Sequence, residues 1–270
     1  MIPIGCSTLG FRFDPLNVAL ERIHAEGFRR LDLVMVPSYC PHFNALSATA
    51  SDREALRETL GQMGFSVATL NTGDGQLGGS DRREMAIDYA RASLSLAQQL
   101  GAYAITIQSG PETTSKEWLG VARSVANDVR ELAMEASDLG LDLTLELHKN
   151  ALMSTGQQAV DLMALVDHPS VGVALDPSHV THAGENPAEV ALLLNGLVRH
   201  VHLRDAVGQN ILVVPGDGVV DFSAFASALG TIGYHRTASI ELEYAAADTE
   251  AVALDLARAR PVIERAFRDL

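Results

Sequence analysis

The sequence predicts an α/β fold, a (β/α)8 TIM barrel, and three observations carry that prediction. Short apolar runs of strand character alternate with longer helical stretches eight times along 270 residues. Composition does not break between these units, so one domain over residues 1–270 is the expectation. Polar side chains gather where several of the runs end, as they do at the catalytic face of a barrel. A doubly wound open sheet is the structural rival, because short strands are easy to over-count.

The first strand is read over residues 2–9. A helix follows from Asp14, as N-cap, with Pro15 at the first helical position, to Gly27. The second strand, LDLVMV, ends at Pro37, and the long loop after it carries His42 and two aromatics. Ser51 or Asp52 caps a second helix that stops near residues 61–64. The third strand is SVATLNT. The glycine-rich GDGQLGGS after it has neither the GxGxxG nor the GxxxxGKS spacing of a phosphate cradle and reads as a flexible connection.

A third helix covers residues 81–100, YAITIQS is the fourth strand, and a fourth helix covers residues 114–139. The fifth strand is LDLTLELHKN, and the fifth helix covers residues 156–166. VGVALD is the sixth strand, with a helix starting near Pro187, and RHVHLRD is the seventh. ILVVPGDGVVD reads as a hairpin-like excursion at the barrel mouth, before a helix over residues 222–229. TASIELE is the eighth strand, and the last helix starts near Thr249.

Composition narrows the function classes. Apolar residues make up 47% and charged residues 20%, as in a globular protein. A net charge of −14 with a pI near 5.0 and no basic cluster argues against nucleic acid and anionic membrane partners. Cys6 and Cys40 form no CxxC pair, so neither a disulfide framework nor a thiolate zinc site is implied. The N-terminus enters a strand at once, and no apolar run approaches the roughly 18 residues of a membrane span. A cytoplasmic protein is expected.

Four strand ends carry the chemistry. A strand buried on both faces does not ordinarily end by turning a carboxylate or imidazole inward. Here the fifth ends on Glu146, the sixth on Asp176, the seventh on His202 and the eighth on Glu241. One buried Asp or His is compatible with a hydrogen-bonded core position; four successive strands with the same pattern argue for a shared ligand. Carboxylates with one imidazole and no thiolate suit one divalent metal, Mn²⁺ ahead of Mg²⁺, Co²⁺ or Zn²⁺.

The chain resembles the xylose isomerase-like TIM-barrel superfamily, sugar isomerases and epimerases that also include endonuclease IV. The resemblance rests on GCSTLGF, LELH with Glu146, DPSH with Asp176 and His179, HVHLRD with His202, PGDGVVDF, and GYHRTASIE ahead of Glu241. It spans nearly the whole chain and implies that these four residues bind one metal. Two departures narrow the activity. The extra histidines of the three-metal endonucleases are missing at LNTGDG and Gln108. The arginine that follows the seventh-strand histidine in ketose 3-epimerases is replaced around Gly208, which points away from a free ketohexose.

The expected reaction is proton abstraction next to a carbonyl through an enediolate, giving isomerisation or epimerisation, with Glu146 and Glu241 as the exchanging carboxylates. The alternative is a lyase on the same site, a dehydratase or keto-glycoside β-elimination, with His148 as a neutral base beside Glu146. His179, Gln108, Lys149 and Arg204 are the candidate substrate contacts; Asp205 and Glu243 are read as supporting or rim residues. His42 and Trp118 are either pocket or packing residues. The expected partner is a small sugar or sugar derivative, with a homo-oligomer or a partner subunit left open. A non-catalytic sugar-binding role is the third class.

Overall fold

The computed structural model describes residues 2–73, 77–78 and 81–268. Its elements in order are β1 (Ile4–Ser7), α1 (Leu16–Ala25), β2 (Arg30–Met35), α2 (Ala50–Gln62), β3 (Ser66–Thr72) and α3 (Arg83–Leu100). They continue with β4 (Ala104–Gln108), α4 (Trp118–Asp138), β5 (Asp142–Glu146), α5 (Gly156–Val166), β6 (Val171–Leu175), α6 (Pro177–His182) and α7 (Pro187–Leu193). The chain then forms β7 (Val198–Leu203), β8 (Asp205–Val207), β9 (Asn210–Val213), α8 (Phe222–Thr231), β10 (Ala238–Ile240) and α9 (Thr249–Ala266).

Eight strands close into a parallel barrel in the order β1-β10-β7-β6-β5-β4-β3-β2, which settles the barrel against the open sheet. Apolar runs without alternation are what two-sided burial requires: helices cover the outer face and side-chain layers fill the lumen. All five residues of β6, VGVAL, are buried. The helices supply the outer layer through one apolar face. In α4, Ala122, Val125, Ala126, Val129, Leu132, Ala133 and Ala136 recur at helical spacing and are all buried.

Several boundaries differ from the sequence reading for local reasons. Asp14 does not cap α1; its carboxylate accepts the Thr249 hydroxyl at 2.6 Å and ties α9 to the start of the chain. The cap of α2 is Thr49, in a reciprocal box with Asp52. His179, expected in a loop, lies in the short α6, which Asp176 caps with Pro177 at its first position. Six residues are too few to show a helical period, although Asp-Pro at the start was a usable signal. Of GDGQLGGS, residues 74–76 and 79–80 lie outside the described residues, so the flexible-connection reading falls largely there.

The excursion after β7 is an antiparallel pair, β8 with β9. Asp205 organises its return: its carboxylate accepts the N–H groups of Gly216 (2.9 Å), Gly218 (3.1 Å) and Val220 (3.0 Å). Gly218 is required by close approach, since a Cβ there would sit 2.2 Å from Asp205 Oδ1. Cys6 and Cys40 are free and buried. Among the described residues no helix is long and apolar enough to cross a membrane.

Candidate metal centre

Four neighbouring strands of the barrel, β5, β6, β7 and β10, bring Glu146, Asp176, His202 and Glu241 together. One ligand atom from each lies within 4.8 Å of all the others, and all four residues are buried. Local structure aims each one. Glu146 is the last residue of β5, and Gln108 on the adjacent β4 donates to its Oε2 at 3.0 Å. Asp176 uses Oδ1 to cap α6, accepting Ser178 N–H at 2.7 Å, which leaves Oδ2 facing the cluster. Glu241 follows β10 directly, and the Ser7 hydroxyl donates to its Oε1 at 3.0 Å. His202 turns Nδ1 toward Glu146 Oε1 (3.0 Å) and Glu241 Oε2 (3.6 Å), and Nε2 toward Asp32 Oδ2 (2.9 Å).

Arg204 is buried in the middle of this set. Its guanidinium binds Glu241 and Glu243, and its Nε stands 3.3 Å from Asp176 Oδ2. Expected as a candidate substrate contact, it lines the pocket and at the same time pairs with carboxylates of its own chain. Asp176 Oδ2, His179 Nε2 and Arg204 Nε are buried with no hydrogen-bond partner. Buried polar atoms are ordinarily hydrogen-bonded, and Asp176 Oδ2 has only the ion-pair approaches of Arg204 Nε at 3.3 Å and His179 Nε2 at 3.9 Å, which leaves it capacity for a further partner.

The electrostatics follow from these neighbours. Burial alone would raise the Glu146 carboxyl, yet the hydrogen bond from His202 and the positive surroundings of His148, His202 and Arg204 hold it below the usual carboxylate range. Glu241 goes the other way. Burial, reinforced by the charges of Glu146 and Asp32, raises it against the pull of His202 and Arg204. Burial opposes a charge on His202, but Glu241, Asp32 and Glu146 surround it and push its pKa well above the ordinary value. His179 is held neutral by burial and by the positive groups near it. Lys149 N–H donates to its Nδ1 at 3.3 Å, so its proton sits on the orphaned Nε2.

Above the cluster opens a pocket of about 380 Å³. Glu146, Glu241, His148, Gln108 and Arg204 line it, as does Glu243. His179 lies beneath His148, ring centres 3.9 Å apart, and does not line the cavity. Lys149 contributes backbone contacts to the two histidines rather than a pocket wall. His42 hydrogen-bonds Phe11 O and Thr8, and the Trp118 indole donates to Leu152 O, so both serve packing.

Sequence reading missed the wall formed by Leu9, Val34, Val36 and Tyr39, and the polar residues Asn71 and Thr72. It also missed Ser7 and Asp32. Asp32 alone left a trace, as a carboxylate inside the apolar run LDLVMV.

A family model described as xylose isomerase-like TIM barrel matches residues 20–261. An inosose dehydratase of Clostridium botulinum is 27% identical over 137 residues, 44% of this chain and 46% of the relative. A ketose 3-epimerase of Arthrobacter globiformis is 33% identical over 118 residues, 43% of this chain and 39% of the relative. These matches thus span less than half the length of either curated relative. A solved structure of an IolI protein with a bound zinc atom superposes with a TM-score of 0.82 at 19% identity, covering 98% of this chain and 99% of that one, a likeness of fold.

Proposed function

The chain belongs to the xylose isomerase-like TIM-barrel family, and from that premise we propose that it is a divalent-metal-dependent sugar isomerase or epimerase. The observation that carries this reading is the convergence of Glu146, Asp176, His202 and Glu241, of which Glu146 and Glu241 line an open pocket. Three carboxylates and an imidazole, with an orphaned carboxylate oxygen among them, fit one hard or borderline divalent cation. Glu146, Asp176, His202 and Glu241 would hold it. When bound, such an ion acidifies the C–H next to a substrate carbonyl by drawing electron density from the oxygens. Manganese is the ion we favour, on ligand type.

The chain's own groups supply the rest. Glu146 and Glu241 are three strands apart around the ring rather than diametrically opposed, and both line the pocket. One removes the proton beside the carbonyl and the other returns one, to the opposite face for epimerisation or to the neighbouring carbon for isomerisation. Gln108 and Ser7 each hold one oxygen of these carboxylates, fixing the orientation of the second. The apolar wall from Leu9 to Tyr39 excludes water from one side of the sugar.

One observation favours the second reading, elimination of water or an aglycone. Nδ1 of His148 donates to Lys149 O at 2.5 Å, which leaves Nε2 as the basic nitrogen of a residue lining the same cavity. An imidazole nitrogen beside Glu146 suits proton removal coupled to loss of a β-substituent. The two outcomes separate in D₂O. Metal-loaded protein is incubated with ketoses and keto-glycosides while solvent exchange and ultraviolet absorbance are followed. Exchange without an unsaturated product or released aglycone supports isomerisation; absorbance growth supports the lyase. Glu146→Gln and Glu241→Gln each lower the rate by roughly 10²–10⁴-fold, and full exchange in both variants overturns the mechanism.

A further inference from the structure

Below the ligand set, deeper in the barrel, lies a second buried polar cluster that the proposed chemistry does not use. Asp32 on β2 is fully buried. Its Oδ1 accepts the Thr69 hydroxyl at 2.6 Å, and its Oδ2 faces both His200 Nε2 at 3.0 Å and His202 Nε2 at 2.9 Å. His200 is in turn fixed from behind, where the Tyr103 hydroxyl stands 2.9 Å from its Nδ1. His200 and His202 sit two apart on β7, so both rings enter the lumen.

A carboxylate can only accept, and that fixes the groups facing Asp32 as donors. His200 Nε2–H donates to Asp32 Oδ2, and the Tyr103 hydroxyl, 2.9 Å from His200 Nδ1 and 3.5 Å from Thr237 O, stands behind the ring. Thr69 donates to the other oxygen. The carboxylate is left to accept from His202 Nε2–H, and the ring can then present only Nδ1 to Glu146 and Glu241. An imidazole that ligates through one nitrogen is oriented, and made more basic, by a carboxylate on the other.

We propose that Asp32, anchored by Thr69 and His200, is the positioning residue that fixes the ring and tautomer of His202, so that Nδ1 is its ligand atom toward a divalent cation. The proposal rests on the metal-site reading above. Asp32 touches no substrate; it acts through His202. Asp32 is the third residue of β2 and does not line the pocket.

The test uses Zn²⁺ alone as probe, titrated into metal-free full-length protein. Asp32→Asn keeps shape and packing while removing the charge. It should weaken Zn²⁺ affinity about tenfold or more with the urea midpoint close to the parent's. A purely structural Asp32 would leave affinity within threefold in this isosteric variant, and that result overturns the proposal. The parent gives a second readout that needs no variant. In the zinc-loaded protein, two-bond ¹H–¹⁵N correlation should show the His202 proton on Nε2 and Nδ1 unprotonated; a proton on Nδ1 instead overturns the assignment. A parent that binds neither Zn²⁺ nor Mn²⁺ removes the metal reading and this proposal together, whereas tight binding by parent and variant alike removes only this one.

Discussion

The barrel lumen holds two buried polar layers within one side chain of each other, and they are built on different terms. The deeper one, Asp32, Thr69, His200 and Tyr103, places both oxygens of its carboxylate against donors, and its atoms are paired. The upper one, Glu146, Asp176, His202, Glu241 and Arg204, opens on a pocket and keeps two atoms, Asp176 Oδ2 and Arg204 Nε, without a hydrogen bond. His202 belongs to both, with one nitrogen in each. A satisfied network rigidifies, whereas an incompletely satisfied one is held in place by its surroundings for a ligand. The difference between the layers therefore separates support from reaction within a single strand-end cluster.

The sharpest way to break that contrast is to remove the internal cation of the upper layer. Arg204→Met leaves Asp176 and Glu241 buried and uncompensated, and should cost the metal-free protein about 3–5 kcal/mol in urea unfolding. Added Zn²⁺ should then raise the melting temperature of the variant more than that of the parent, because the cation meets ligands that no guanidinium occupies. Equal shifts in the two proteins would show that Arg204 does not share the ligand set. A smaller change is expected below. Thr69→Val strips one donor from Asp32 Oδ1 and should cost about 1–3 kcal/mol, with the stability loss appearing whether or not Zn²⁺ is present.

The smallest expected effect is a pH slope. Burial holds the His42, His179 and His200 pKa values below the ordinary imidazole value. The unfolded chain therefore takes up protons first, and stability is full above pH ~6.5 and falls as pH drops through it. His202 has the opposite sign. Its raised pKa gives a contribution complete below pH ~6.5 and lost as pH rises through the folded value. Asp32, held low, adds a further loss only below pH ~4. Urea midpoints at pH 7.5, 6.5 and 5.5 should therefore decline on the acid side, with a shallower decline in His42→Gln. A midpoint that rises toward pH 5.5 would mean that His202 dominates His42, His179 and His200 together.

Much of the fold was legible because burial on two faces leaves a plain mark. β3 and α5 match the sequence reading residue for residue, and β6 and β7 differ only at their ends. The short α6 was not legible, because a single turn and a half has no period to detect. The four candidate ligands were legible for a similar reason: a carboxylate or imidazole at the end of an apolar run is costly and conspicuous. Glu243 and Asp205 were read as supporting or rim residues. The structure makes Asp205 the hub of the PGDG turn and puts Glu243 in the pocket wall against Arg204 and Tyr39.

The amino-acid sequence by itself determined the alternation, the barrel and the residue types at four strand ends, since each is a local pattern of polarity. It could not determine what those residues touch. Whether Arg204 reaches out to a ligand or in to Glu241, and which nitrogen of His202 faces the carboxylates, depends on side chains more than a hundred residues apart in some cases, such as Asp32 and His202. Closure of the barrel sets those distances, because only the strand order around the ring decides which neighbours supply donors and charge.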